Sequence, residues 1–292
     1  MVQVAIGFMT KFRSEKTHLI KGWKAKLRLG FTELNGKTIL YWKKHEGPLR
    51  VQKPFYPERN GTCHIYLLHP PGGVVGGDRL EVQVELKTGT NALFTTPAAG
   101  KFYRSSGSSA FQVQIIKVED NACLEWFPLE NIFFSGAKAK IKTKIEINPS
   151  SHFIGWDICC LGRPASNEPF IHGSLDQRFE IWMKKKPVRL ERLLIQGNDP
   201  ILSNKWGVDR KTVLGNLVCF TPEKELVDTL REYLKSFKIK DDYSVTFVNG
   251  VIQFRCLGNS ADQVRKFLTR VWQKLRFEIR GHHAVIPRIW NT

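Results

Sequence analysis

Apolar and polar residues alternate one by one along much of the first 220 residues, and this period of two most constrains the fold. Residues 137–147 show it most clearly, since one face collects Ala139, Ile141, Ile145 and Ile147. The opposite face collects Lys138, Lys140, Lys142 and Lys144. Successive side chains of a strand point to opposite faces, so the run predicts a half-buried strand. We interpret the lysines as a solvated face that hinders edge-to-edge pairing, with a docking stripe for an acidic partner as the alternative.

Two upstream segments show the same period. Residues 80–86 place on one face Leu80, Val82, Val84 and Leu86. Residues 111–117 predict a second strand whose inward face carries Phe111, Val113 and Ile115. Turn residues separate these runs without helical patterns between them, which predicts a mainly β body of stacked sheets with meander-like or coiling connections. No repeat of fixed length is visible, so the sequence does not itself predict a regular solenoid.

The last quarter of the chain has helical periods. Thr221 is the predicted N-cap of a first helix with Pro222 at its first position, and its buried stripe comprises Leu226, Leu230, Tyr233, Leu234 and Phe237. Asn249-Gly250 predicts a tight hairpin. Ser260 caps a second helix whose inward residues are Ala261, Val264, Phe267, Leu268, Val271 and Leu275. We expect this helix–hairpin–helix region, residues 221–277, to pack on the β body, so that residues 1–292 form one domain.

The chain is strongly basic. Its 45 Lys and Arg residues exceed its 27 Asp and Glu residues, which gives a formal net charge of +18. This excess favours acidic partners without identifying them as nucleic acid, membrane or protein. A basic nucleic-acid-binding module is therefore the alternative functional hypothesis, although no RRM, KH or helix-turn-helix signature is visible.

Cysteine usage and hydropathy indicate a cytoplasmic protein. None of the six cysteines forms a C-x-x-C pair, and most lie in apolar runs, as expected of buried thiols in a reducing compartment. No apolar stretch approaches the roughly 20 residues that cross a bilayer. Residues 1–9 lack the basic start and small-residue cleavage site of a signal peptide.

A glycine-rich segment, residues 69–79, resembles a phosphate-binding loop but lacks its chemistry. Gly72 and Gly77 have the spacing of a P-loop, yet Asp78 stands where a lysine would neutralise phosphate. A predicted strand follows instead of a helix whose N-terminus could bind an anion. The glycines are better explained by tight backbone geometry and close packing.

No nucleophile–base constellation or G-x-S-x-G elbow is visible, which argues against an enzyme. Glu130 and Asp157 differ from other carboxylates because apolar residues surround them in the sequence. A carboxylate in such a setting needs a partner, water or a cation. An internal ion pair with an arginine and a transient metal site both remain open.

Several ordered blocks together carry a family resemblance. Residues 66–78, 95–105, 126–132, 155–164 and 287–292 closely resemble the signatures of the UreD-type urease accessory proteins, called UreH in some organisms. The structural positions of these signatures are His69, Pro70, Gly72, Gly73, Gly76, Gly77, Gly162, Arg163 and Pro164. The resemblance spans nearly the whole chain and is more specific than any single short motif.

The resemblance implies a non-enzymatic maturation factor. Such a protein binds UreF, recruits the GTPase UreG through it, docks on apo-urease and helps to deliver Ni²⁺ to the active site. The implied fold is a coiling, β-helix-like body with two helices. The implied cofactor state is transient Ni²⁺ with nothing stably bound, and no membrane or specific nucleic acid is implied as a partner.

A carrier that must release nickel should hold it weakly, so isolated carboxylates, carbonyls and water suit the task better than dense His/Cys clusters. We hypothesise that Glu130, Asp157 and Asp78 line or flank an internal water-filled path. Two positions depart from the usual family pattern, since Leu129 replaces a glutamine and Ser135 an aspartate. If that aspartate conducts metal in relatives, Glu130 or water must take its role here.

Overall fold

The computed structural model describes residues 22–237 and 242–291, and within them the chain forms seventeen β-strands and two α-helices. The interpretation of residues 1–9 lies outside this part. The strands are β1 (Lys24–Leu34), β2 (Lys37–Glu46), β3 (Arg50–Val51), β4 (Cys63–Leu68), β5 (Arg79–Leu86), β6 (Asn91–Thr95), β7 (Gly100–Phe102), β8 (Ala110–Val118), β9 (Cys123–Phe127), β10 (Asn131–Phe133), β11 (Lys138–Ile147), β12 (His152–Leu161), β13 (Ser174–Met183), β14 (Lys186–Gln196), β15 (Val213–Phe220), β16 (Asp242–Val248) and β17 (Val251–Gly258). The helices are α1 (Leu226–Lys235) and α2 (Ala261–Arg280).

The strands form two sheets that enclose the main apolar core. Sheet A has seven strands in the order β14-β13-β11-β8-β5-β1-β2. Sheet B has ten, with the main order β16-β17-β15-β12-β9-β6-β4-β3 and with β7 and β10 attached beside β12. The central strands of both sheets are parallel, which is the pairing expected of a coiled chain. The prediction of a mainly β fold with coiling sheets is confirmed.

The chain winds between the sheets as a β-helix. Each coil runs along a strand of sheet B, turns a corner and returns along a strand of sheet A, and successive coils begin at Cys63, Asn91, Cys123 and His152. Phe102 of one coil stacks on Phe133 of the next, with ring centroids 4.9 Å apart. The coils differ in length, which is why no fixed repeat is visible in the sequence.

The lysine-rich strand is β11, and its face assignment is correct. The residues that it buries are Ala139, Ile141, Ile145 and Ile147. The expectation that these lysines hinder edge-to-edge pairing is wrong, because β11 is not an edge strand. It pairs with β8 on one side and with β13 on the other. Its lysines lie on the outward face of a central strand, where Lys142 Nζ is 2.7 Å from Glu180 Oε1.

Strand β5 has the predicted faces, whereas the prediction for β8 is wrong by one residue. The residues that β8 buries are Ala110, Gln114, Ile116 and Val118, so Phe111, Val113 and Ile115 face outward. Inside, the Thr143 hydroxyl donates to Gln114 Oε1 at 2.6 Å. Outside, the Arg79 guanidinium lies 4.3 Å from the centre of the Phe111 ring, which shields that ring from water.

The hairpin strands β16 and β17 extend sheet B, and the two helices cover the outer face of this sheet and enclose a second apolar core. The Ser260 hydroxyl accepts from the Gln263 amide at 3.4 Å, which confirms it as the N-cap of α2. Asn249 and Gly250 have φ of 52° and 75°, as the predicted hairpin turn requires. That residues 1–292 form one domain stays a prediction.

The predicted start of α1 is wrong. The helix begins at Leu226, with Glu225 as its N-cap, rather than after Thr221. The Thr221 hydroxyl instead accepts from the Glu223 amide at 3.2 Å, which closes a short turn before the helix. The predicted stripe survives because Leu226, Leu230 and Leu234 are buried.

A buried charge network fastens α2 to sheet B, and the sequence analysis did not anticipate it. Arg276 pairs with Glu58, and its Nη1 lies 3.4 Å from Glu125 Oε2. His64 Nε2 lies 2.7 Å from Glu58 Oε1, and the Trp272 indole donates to Glu125 Oε1 at 2.6 Å. Burial opposes ionisation of Glu58, but His64 and Arg276 bring its pKa below the ordinary value. Burial raises the pKa of Glu125 although Arg276 opposes the rise.

We predict that Arg276→Met lowers the free energy of unfolding by about 3–5 kcal/mol, since it leaves two buried carboxylates without their cation. Urea unfolding followed by circular dichroism measures the change. Lys266→Met is the matched control, because this exposed lysine of the same helix pairs with exposed Asp262 and its loss should cost under about 1 kcal/mol. Equal small losses in both variants would show that the network is not stabilising.

Candidate functional site

The signature blocks occupy equivalent corners of successive coils. Residues 66–78, 95–105, 126–132 and 155–164 follow or include the ends of β4, β6, β9 and β12, which lie side by side in sheet B. The Gly100 amide donates to Glu130 O at 2.9 Å, and the Gly162 amide donates to Phe133 O at 2.8 Å. Blocks about thirty residues apart in the sequence therefore form one stacked corner.

The glycine-rich loop turns the first corner. Gly77 has φ of 96°, and a Cβ on Gly73 would lie 2.1 Å from the Tyr103 ring, so both positions favour glycine. Asp78 is buried, and its two oxygens accept from the amides of Trp23 at 2.8 Å and Val75 at 3.0 Å. In this geometry Asp78 fixes the loop by hydrogen bonds.

The other signature side chains line the same corner. The ring centroids of Tyr103 and Phe134 are 4.9 Å apart, and the Arg163 guanidinium lies 4.8 Å from the centroid of the Phe134 ring. Arg163 also donates from Nε to Glu168 Oε2 at 2.8 Å, and Pro164 opens a short 3₁₀ turn. Burial lowers the pKa of His69, and nearby Asp78 opposes that shift.

Asp157 lies elsewhere, in the space between the sheets. Strand β12 points Asp157 and Cys159 inward, whereas Trp156 and Cys160 belong to the core under the helices. A cleft of about 160 Å³ adjoins Asp157 and is bordered by strands β12, β13, β14, β15 and β17. Within the described part of the chain, Asp157 Oδ2 is buried without a hydrogen-bond partner. Burial raises the pKa of Asp157 to about 6, although Arg189 and Gln177 oppose the rise.

A polar network that the sequence analysis missed lines the same cleft. Glu191 of β14 pairs with Arg189, and its Oε1 lies 3.1 Å from Arg255 Nη2. Gln253 and Asn216 also donate to Glu191, at 3.1 and 3.4 Å. Burial and nearby Arg255 lower the pKa of Arg189 to about 10. Between them, the carboxylate, amide and guanidinium groups of this network can bind a proton, a cation or a water molecule in the cleft and release it again.

Glu130 has different neighbours from Asp157 and Asp78. Its Oε2 atom is buried and unpaired among the described residues. Burial raises the pKa of the Cys160 thiol to about 12, and the nearby Glu130 charge adds to that rise. No group of three or more metal-ligating side chains occurs in residues 22–237 and 242–291. The nickel path therefore stays a prediction, with Glu130 and Asp157 as isolated positions.

Comparison with known proteins identifies the family. A family model described as UreD urease accessory protein matches residues 24–291. The chain belongs to the UreD family. Relatives named urease accessory protein UreD include one from Alcanivorax borkumensis, 41% identical with 96% of each chain covered. Another, from Klebsiella aerogenes, is 41% identical over 94% of this chain and 98% of the relative.

Membership in the UreD family gives this protein a role in urease maturation. It also favours the maturation hypothesis over the nucleic-acid-binding alternative, and an accessory role over catalysis.

The two residues that depart from the family pattern both make contacts in the structure. Leu129 lies in the core under the helices, and the Ser135 hydroxyl accepts from the His172 amide at 3.3 Å. None of the helices in the described part of the UreD-family chain is long and apolar enough to cross a membrane.

We predict that Asp157→Asn stabilises the protein near neutral pH. The folded-state pKa of about 6 exceeds the ordinary 3.8, so the folded chain binds this proton more tightly and the wild type loses stability as the pH rises through that interval. Above it, the variant should gain up to about 3 kcal/mol in free energy of unfolding. Urea unfolding at a series of pH values measures the gain.

Asp176→Asn serves as the control of opposite sign. Partial burial raises the pKa of Asp176, but Arg192 and Arg178 bring it below its ordinary value, so its removal should destabilise the protein near neutral pH. Loss of stability in the Asp157 variant as well would show that ionised Asp157 is held by favourable contacts.

Proposed function

We propose that this protein is a cytoplasmic scaffold for nickel delivery to urease. It binds a UreF-type accessory protein and through it a UreG-type GTPase, and the assembly docks on the urease structural subunits. Ni²⁺ passes through the protein as cargo, without a stably bound cofactor and without a reaction catalysed by this chain. The six free, buried cysteines fit a reducing compartment.

The observation that carries the proposal is the unpaired Oδ2 atom of Asp157 beside the cleft. A buried carboxylate oxygen without a partner is costly, and a divalent cation relieves that cost. One carboxylate with amides and water forms a weak, open site from which a cation leaves readily. Glu191 lies across the same cleft, where it can exchange its arginine partners for the cation.

Glu130 is a second proposed position on the path, since its buried Oε2 is also unpaired among the described residues. Asp78 contributes differently, because its oxygens already accept two backbone amides. We expect its substitution to disturb the glycine-rich loop before it affects nickel.

The proposal predicts that Asp157→Asn and Glu130→Gln slow nickel loading without preventing assembly. Purified apo-urease is incubated with Ni²⁺, the two partner proteins and each variant, and the nickel bound to urease is measured over time by mass spectrometry. Size-exclusion chromatography reports assembly separately. Glu232→Gln is the control, since this carboxylate lies on the exposed face of α1 and pairs with exposed Lys235.

Two outcomes would contradict different parts of the proposal. Loading at the wild-type rate in both variants would remove Asp157 and Glu130 from the path. Failure of the wild-type protein to assemble with its partners, or full loading in its absence, would overturn the scaffold role itself.

A further inference from the structure

The two sheets differ in breadth at their C-terminal side. Sheet A ends at β14, whereas sheet B continues from β15 through β17 to β16. Glu191 of β14 contacts Asn216 of β15 and Arg255 of β17, so β14 lies opposite these two strands. Among the described residues, no strand of sheet A remains to lie opposite β16.

The inner face of β16 is uncovered as a result. Its register with β17 places Ser244, Thr246 and Val248 on the inner face of sheet B, and all three are exposed, Val248 by 62%. The alternate residues, Val245 and Phe247, pack against the core under the helices. Beyond β14, sheet B therefore has no strand of sheet A packed against its inner face among the described residues.

The outer edge of β14 is also open. This strand of eleven residues pairs with β13 alone, and no backbone hydrogen bond reaches its other edge from residues 22–237 or 242–291. The other sheet edges differ. The Gly61 carbonyl accepts from the Thr38 amide at the edge strand β2, Arg231 of α1 donates to Val245 O of β16, and β3 has only two residues.

Exposed apolar residues mark the open edge. Leu190 is 61% exposed and Leu194 is 46% exposed, both on the outer face of β14. Lys186 and Pro187 hinder pairing at the start of β14, but the unpaired edge beyond them, with these two exposed leucines, is a template for another strand. The outer face of a strand added there would lie beside Leu190 and Leu194. Its inner face would cover Thr246 and Val248 of β16.

The charge of the residues near β14 indicates what kind of segment pairs with this strand. The basic residues on or beside the edge are Lys184, Lys185, Lys186, Arg192 and Arg255, and all are exposed. Arg192 pairs with Asp176 and Arg255 with Glu191, so the excess positive charge lies on the three lysines at the turn between β13 and β14. Pairing of β14 with a second copy would bring two such basic sets together, which is repulsive. We infer that β14 accepts an extended, acidic segment of a partner protein as an eighth strand of sheet A. Because Glu191, Leu193, Arg255 and Leu257 border the cleft beside Asp157, this strand also covers one side of that cleft.

Synthetic peptides test the chemistry independently of nickel. Short acetylated peptides in which valine alternates with aspartate or with lysine are titrated into the full-length protein and followed by fluorescence anisotropy. We expect the aspartate peptide to bind at least about tenfold more tightly, with an affinity that falls as salt rises. Equal affinities, or no binding of the aspartate peptide, would overturn the inference.

Hydrogen–deuterium exchange then locates the bound peptide. The aspartate peptide should slow exchange in residues 186–196, and Leu190→Asp with Leu194→Asp should abolish both binding and protection. Leu34→Asp is the matched control, since Leu34 is 56% exposed on β1 of the same sheet. Val248→Asp on β16 provides a second disruptive variant, and circular dichroism checks that each variant is folded.

Two results would contradict the assignment. Peptide binding without slower exchange in residues 186–196 would place the acidic segment elsewhere. Protection of these residues in the isolated protein, together with a dimeric mass in light scattering, would make a second copy the occupant. Neither result depends on whether Asp157 conducts nickel.

Discussion

The in-register stacking of parallel strands between coils is the constraint on which the rest of the structure depends. Each backbone ladder fixes which residue lies above which, as in the pairs that β6 forms with β9 and β8 forms with β11. Once this register is set, each inward residue lies directly above one of the neighbouring coil, and the corners of successive coils come together. These ladders bring the glycine-rich loop, Tyr103, Phe134 and Arg163 together, and the contacts among their side chains then complete the corner.

Sheet B separates two environments, and each contains buried charge. Between the sheets, Asp157 and Glu191 share the space with Arg189 and Arg255. Under the helices, Arg276 holds Glu58 and Glu125. In the second network each carboxylate lies beside the Arg276 cation, which suits a structural fastening, although Arg276 Nε and Nη1 and His64 Nδ1 have no hydrogen-bond partner among the described residues. In the first, a carboxylate oxygen, Asp157 Oδ2, has no partner among the described residues, and this is the proposed place where a cation binds.

Local patterns predicted the fold well wherever one face of a segment was clearly polar. Strands β5 and β11 and helix α2 are examples, because their inward and outward residues differ in kind. Strand β8 is assigned to the wrong face by its local pattern, since polar Gln114 is buried beside Thr143 while apolar Phe111 lies outside under Arg79. The apolar neighbours of Asp157 indicated a buried carboxylate correctly. Its companions could not be predicted, because Arg189, Glu191 and Arg255 reach it only through the pairing of distant strands. Arg276 had a weaker signal, as it lies four residues after Trp272 on the buried stripe of α2.

The unequal lengths of the coils have a consequence for how such a chain can change over time. The ladders constrain only the strands, so residues gained or lost at a corner leave the neighbouring coils in place. A single residue inserted within a strand would instead exchange its two faces. Natural variation in length should therefore collect at the corners, where new recognition loops can arise while the interior remains as it was.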